Sequence, residues 1–127
     1  MLHFQEETFA RVRDDVQALA QAHWDEVEAA LHGDQAYRLD KERYAALERL
    51  GMLAVITARH EDGPLAGYAA FTVLPCPHRA GITLAALDGL YLAPDARRGL
   101  AALNLLRRAE QCLARRGVGL IQYSSPA

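Results

Sequence analysis

The sequence predicts one mixed α/β layer fold in a single domain, residues 1–127, with elements in the order β-α-α-β-β-β-α-β. Three observations predict it. Two segments whose apolar residues recur every three or four positions come first. Three short apolar runs of strand length, separated by turn signals, follow. A third helical stripe then leads into a last apolar run, which can lie parallel to the strand before Pro94 through a crossover.

Residues 3–7 form a short opening strand. Phe9 to about Leu31 reads as one long helix, because Val12, Val16, Leu19, His23, Val27 and Leu31 make one apolar stripe. Thr8 supplies its N-cap and Gly33 its stop, and residues 33–37 are loop. Asp40 caps a second helix, Lys41 to Leu50, closed by Gly51. Met52 to Ala58 is an apolar run of strand length, and Glu61-Asp62-Gly63 is a hairpin turn signal. The return strand runs from Leu65 to Leu74, with Gly67 marking a bulge or a close backbone approach. Pro75-Cys76-Pro77-His78 interrupts it, and Ile82 to Leu92 is the next strand. After Pro94-Asp95 a helix spans about Arg98 to Arg116, with Leu100, Leu103, Leu106, Ala109 and Leu113 as its stripe and Gly117 as its stop. Val118 to Tyr123 is the last strand.

Composition narrows the function. The chain is 51% apolar and 24% charged, which suits a packed domain rather than disorder. It has no apolar run of about 18 residues, so no membrane span is expected, and its first residues do not read as a signal peptide. A cytoplasmic location is therefore expected. The net charge of −2 lacks the basic excess of nucleic-acid binders. Lys41 is the only lysine beside thirteen arginines, a bias that reads either as genomic base composition or as recognition of phosphate or carboxylate by arginine's planar fork. Cys76 and Cys112 have no metal-ligand spacing, so no metal site is expected. Cys112 reads as buried and inert, Cys76 as the more exposed. The pairs Arg107-Arg108 and Arg115-Arg116 read as a solvated helix face.

The stretch from Leu90 to Ala102 carries the chemistry. A strand runs into a tight turn and then into a helix N-terminus, where backbone N–H groups lack partners and the dipole is positive. Small residues let an anion approach, and Arg97 and Arg98 stand at the entrance, which suits a pyrophosphate. The Walker A pattern and the dinucleotide glycine pattern are both absent. Arg97-Arg98-Gly99-Leu100-Ala101-Ala102 matches the first and last positions of a third pattern: Gln or Arg, two residues, Gly, one residue, then Gly or Ala. Leu100 replaces its middle glycine.

That pattern is the acyl-CoA loop of the GNAT N-acetyltransferases, and the chain resembles this family over roughly residues 5–123. Asp88-Gly89-Leu90-Tyr91-Leu92-Ala93-Pro94 looks like the family's strand leading into the loop. Resemblance to the phage and prophage branch lies in His23-Trp24-Asp25-Glu26, Arg43-Tyr44 with Leu47-Glu48, Gly67-Tyr68-Ala69-Ala70-Phe71, and Tyr91 to Pro94 with Arg97-Arg98-Gly99.

The resemblance implies a GNAT-like mixed sheet that binds acetyl-CoA and transfers its acetyl group to an amine by direct attack. The pantetheine arm would lie between two splayed parallel strands, Leu87–Leu92 and Leu120–Ser124. Leu90, Tyr91 and Leu92 would line it, with backbone groups near Leu90 and Leu92 pairing with its amides. Arg97, Arg98, Gly99, Leu100, Ala101 and Ala102 would hold the pyrophosphate. Asp88 corresponds to an acidic position of the family's strand, and alternation puts it on the face of Leu90 and Leu92. It reads either as the general base or as an aspartate that binds neighbouring backbone at a strand bulge. Trp24 and Glu26 are candidates for the acceptor side, against core packing for Trp24 and a solvated charge for Glu26. His78 and Arg79 lie in the loop that borders the acceptor site in relatives.

Family members continue past the fifth strand with a helix and two strands, so the chain reads as C-terminally truncated. An uncovered sheet edge favours association, and a homo-oligomer is expected. The alternative to catalysis is a degenerate acetyltransferase fold that serves as a CoA- or protein-binding module.

Overall fold

The structure, a computed structural model, describes residues 1–28 and 39–123. Strands β1 (Leu2–Glu7), β2 (Leu53–His60), β3 (Leu65–Pro75), β4 (Thr83–Leu92) and β5 (Val118–Gln122) form one sheet in sequential order. The first three pairings are antiparallel. The β4–β5 pairing is parallel, as the crossover helix between them allows. Helices α1 (Phe9–His23) and α2 (Lys41–Arg49) cover one face, and α3 (Ala101–Arg115) covers the other. No described helix is long and apolar enough to cross a membrane.

Local chemistry sets most element ends. The Thr8 hydroxyl accepts from the Arg11 N–H at 3.3 Å, and the Asp40 carboxylate from the Arg43 N–H at 2.9 Å. Gly51 and Gly117 end helices at φ of 72° and 83°, where a side chain would be strained. The first helix changes its winding within the expected span. Its α-helical part stops at His23, and Trp24–Glu28 forms a π-helical turn. The expected end at Leu31, the Gly33 stop and the loop at 33–37 lie outside the described residues, as does Ser124.

The third helix also departs from expectation. It begins at Ala101, because Pro94–Ala96 forms a 3₁₀ turn and Gly99 takes a left-handed φ of 56°. Leu100 then lies outside the helix and is 64% exposed, and Leu103 is 42% exposed. The buried stripe is Ala101, Leu105, Ala109, Cys112 and Leu113. It packs on Ala54, Ala58, Ala66, Ala69 and Ala85, whose small side chains let the helix lie close to the sheet. On the opposite face, Phe9, Val12, Val16 and Ala20 of α1 pack on Leu53, Val55, Tyr68, Ala70 and Tyr91.

Two further expectations are corrected. Cys76 is buried, because its N–H donates to the Ile82 carbonyl at 2.8 Å and folds the loop back over it. Arg116 is no solvated charge. Its guanidinium donates to the carbonyls of Leu53 (2.8 Å) and Gly51 (3.0 Å) and to Glu6 (3.2 Å), tying the end of α3 to β1 and β2. Cys112 is buried as expected, and burial pushes its thiol pKa up.

Candidate active site at the end of β4

The candidate site starts from an irregularity in β4. Gly89 pairs with Ala70, but Leu87 pairs with Phe71, so Asp88 is an extra residue in the strand. An extra residue reverses the alternation beyond it. Ala85 and Leu87 face α3 before the bulge, and Leu90 and Leu92 face α3 after it. Asp88 therefore does not share a face with Leu90 and Leu92, as simple alternation suggested. It points to the side of α1 and α2, where the Tyr44 hydroxyl donates to its carboxylate. Tyr44 is itself set by an edge-on contact with Phe9 at 5.1 Å.

The bulge lies just beyond the point where β4 and β5 part. Thr83 to Ala86 pair with Val118 to Gln122, and no β5 partner follows for Leu87 to Leu92 among the described residues. The upper half of β4 thus presents a strand edge. At its end Leu92 meets Gly67 of β3. A Cβ on Gly67 would stand 2.5 Å from the Tyr91 carbonyl oxygen and 3.1 Å from Leu92 Cα. The close approach expected at Gly67 is real and lies beside a β2–β3 bulge at Ala58 and Arg59.

Beyond Leu92 the chain turns through Pro94–Ala96 and the Arg97–Leu100 loop into α3. The N-cap residue Leu100 offers no side-chain acceptor, and no acidic residue occupies the first turn. The Ala101 N–H donates back to the Arg98 carbonyl at 3.2 Å, but no side chain caps this turn, and the positive end of the helix dipole lies behind it.

Four side chains converge beside this turn. The Arg97 guanidinium donates through Nη1 and Nη2 to the two Glu26 oxygens at 2.5 and 2.8 Å, and through Nε to the Leu92 carbonyl at 2.7 Å. The Tyr91 hydroxyl donates to Glu26 at 2.9 Å, and the Arg97 guanidinium lies 5.2 Å from the Tyr91 ring centre. His23 stacks on the same ring, 5.1 Å between centroids. The Arg97 and Tyr91 hydrogen bonds hold the Glu26 carboxyl at about 2, well below the usual carboxylate range. Burial, reinforced by Glu26, raises the Tyr91 pKa.

These residues, with Leu90, Leu92 and Ala102, line a cleft of about 280 Å³. Of the residues named from sequence, Glu26, Leu90, Tyr91, Leu92, Arg97 and Ala102 therefore meet in one place. Trp24 is half-buried in the π turn and does not line the cleft. Arg98, Leu100 and Ala101 line a different cleft, of about 400 Å³, with Phe4, His60 and Asp95 on the α3 side. Gly99 lines neither. His78 and Arg79 are exposed in the loop before β4. Tyr44 had no signal of its own in the sequence beyond the family resemblance. Among the described residues, no group of three His, Cys, Asp or Glu side chains is placed to hold a metal ion.

No family model and no curated protein matches this sequence. Solved structures do match it. A ribosomal-protein-alanine N-acetyltransferase from Brucella melitensis biovar Abortus 2308 superposes with a TM-score of 0.73 at 18% identity, over 99% of this chain and 81% of the other. An aminoglycoside acetyltransferase from an uncultured soil metagenomic sample, in complex with sisomicin, gives 0.73 at 16% identity, over 98% and 78%. A predicted acetyltransferase with acetyl-CoA from Clostridium acetobutylicum gives 0.71 at 14% identity, over 98% and 81%. These relatives are GNAT-family acetyltransferases, and the fold of this chain, a five-stranded mixed sheet with helices on both faces, is theirs.

Proposed function

We propose that this chain binds acetyl-CoA along the free edge of β4 and at the start of α3, and transfers the acetyl group to a primary amine. The observation that carries the reading is the parting of β4 from β5 after Ala86, which leaves the rest of β4 an open edge that leads through the turn to a helix N-terminus with no side-chain cap. The residues fit the group. A strand edge offers amide and carbonyl groups to an extended arm that carries amides of its own. The uncapped N–H groups suit a pyrophosphate, and Gly99, Ala101 and Ala102 leave room for it.

When bound, acetyl-CoA supplies an activated thioester carbonyl. The chain's own work is to take a proton from the attacking ammonium, and Asp88 is the group we assign to it. Its carboxylate is exposed at the bulge, and the Tyr44 hydroxyl fixes one oxygen. Asp88 would take one proton from the bound ammonium and free the nitrogen lone pair; the neutral amine would then bond to the acetyl carbon as the carbon–sulfur bond breaks, and the nitrogen's second proton would go to the departing thiolate.

Titration with acetyl-CoA, then thiol release with a panel of amines, tests both parts. Saturable binding is expected, with turnover reduced by about 10²-fold or more in Asp88→Asn at unchanged acetyl-CoA affinity. Full turnover by Asp88→Asn would place the base elsewhere. Absence of binding at millimolar acetyl-CoA would remove the reading altogether.

A further inference from the structure

We propose that Glu26 is a positioning residue for phosphate recognition: acting through Arg97, it fixes the Arg98–Ala102 loop so that those of its backbone N–H groups not already bonded within the turn, and not the Arg97 fork, receive the anion. The inference rests on the acetyl-CoA reading above.

The geometry begins in α1. A π turn adds one residue to the helical repeat, which rotates the following side chains by about 100° around the axis. Glu26 lies in that turn, one turn after His23, and both reach the Tyr91 ring system. Tyr91 is only 5% exposed, so the point to which Glu26 is anchored is part of the core.

Arg97 completes the brace. A guanidinium carries five N–H donors in a rigid fork. Here Nε is committed to the Leu92 carbonyl, and one hydrogen from each Nη to the two oxygens of Glu26. A bidentate carboxylate occupies the edge of the fork that a phosphate would otherwise take. The guanidinium face lies against Tyr91. Arg97 thus ties together three elements: the end of α1, the end of β4 and the loop. The loop beyond it holds few other ties. Arg98 N–H donates to Ala96 and Ala101 N–H to Arg98, all within the turn itself. Removing Glu26 takes away two of the three anchoring bonds of Arg97 and leaves the loop held by its own local bonds and by the buried Ala96 and Ala101 at its two ends.

The carboxylate stays charged across the neutral range, since Arg97 and Tyr91 hold its pKa at about 2. The brace is accordingly intact wherever binding would be measured.

The test compares two ligands by calorimetry: acetyl-CoA, and S-acetylpantetheine, which lacks every phosphate. For Glu26→Gln, affinity for acetyl-CoA is expected to fall about tenfold while affinity for S-acetylpantetheine stays within twofold. The double variant Glu26→Gln/Arg97→Gln should bind acetyl-CoA no more weakly than Arg97→Gln alone, because Glu26 acts only through Arg97. Thermal unfolding of each variant identifies one that has lost its fold, and Glu26→Asp, which shortens the reach but keeps the charge, then takes its place in the comparison. Equal losses for both ligands would overturn the proposal, since they mark a general packing defect. Tighter acetyl-CoA binding by Glu26→Gln would also overturn it, by showing that the carboxylate merely competes with phosphate for Arg97. If the wild-type chain binds neither ligand, the acetyl-CoA reading itself falls; if it binds both and Glu26→Gln is unchanged, only the role of Glu26 does.

Discussion

Gly67→Ala drives a methyl group into the backbone of the strand that carries the site. The new Cβ would sit 2.5 Å from the Tyr91 carbonyl oxygen, 2.6 Å from Leu92 Cδ2 and 3.1 Å from Leu92 Cα, where ordinary contact is 3.4–4 Å. The Leu92 side chain can rotate away. The carbonyl and Cα cannot, because both belong to a paired strand. β3 and β4 must therefore separate at Tyr91 and Leu92. Overpacking of this kind costs about 1–3 kcal/mol, and the stiffer unfolded chain returns roughly 0.4–1 kcal/mol. A net loss of about 1–2 kcal/mol is expected, which lowers a urea midpoint by about 0.5–1.5 M. Gly89→Ala is the control. Its Cβ would meet Tyr68 at 3.7 Å, an ordinary contact, so the loss there should be under about 0.5 kcal/mol. The assay is urea unfolding of both variants beside the wild type. A second readout is acetyl-CoA titration, which should weaken in Gly67→Ala because Leu92 also anchors Arg97. Gly67→Ala matching the wild type within about 0.5 kcal/mol, or Gly89→Ala falling as far, would refute the steric reasoning.

Two other predictions concern the scaffold. The Glu7 side chain is 2% exposed beside Arg59 and Thr57. Burial pushes its carboxyl up, but hydrogen bonds from Arg59 and Thr57 outweigh that and hold it at about 2, from an ordinary 4.5. A depressed carboxyl adds stability that is complete above about pH 5 and lost as the pH falls towards 2. The contribution is at most about 3 kcal/mol. Glu7→Gln should destabilise by about 2–3 kcal/mol at pH 7 and flatten the acid limb of stability against pH; a limb parallel to the wild type would show that Glu7 is not its source. Leu105 is 0% exposed and Leu103 is 42% exposed, so Leu105→Ala should cost about 2–5 kcal/mol and Leu103→Ala under about 1 kcal/mol. Calorimetric unfolding in the reverse order would restore the helix face that the apolar stripe first suggested.

Much of the fold was legible because it is local. Thr8 and Asp40 cap helices, and Gly51 and Gly117 stop them, through contacts within a few residues. The parallel last strand follows from the helix between it and β4, since a parallel neighbour needs a crossover. The third helix was harder. Leu100 and Leu103 make as good a stripe as Leu105 and Cys112, and only the turn at Pro94–Ala96 and the left-handed Gly99 set where the helix begins.

The site divides in the same way. Sequence by itself pointed to the residues proposed for its chemistry: the strand–turn–helix from Leu90 to Ala102, the acid at Asp88 and the carboxylate of Glu26. Only the tertiary structure decided what each one touches. Glu26 lies 65 residues from Tyr91 and 71 from Arg97, and nothing local marks them as partners. The bulge that turns Asp88 towards Tyr44 arises from the register between β3 and β4 on either side of it. A side chain's identity is written in the chain, but its partner is set by which surfaces pack, and packing depends on every element at once.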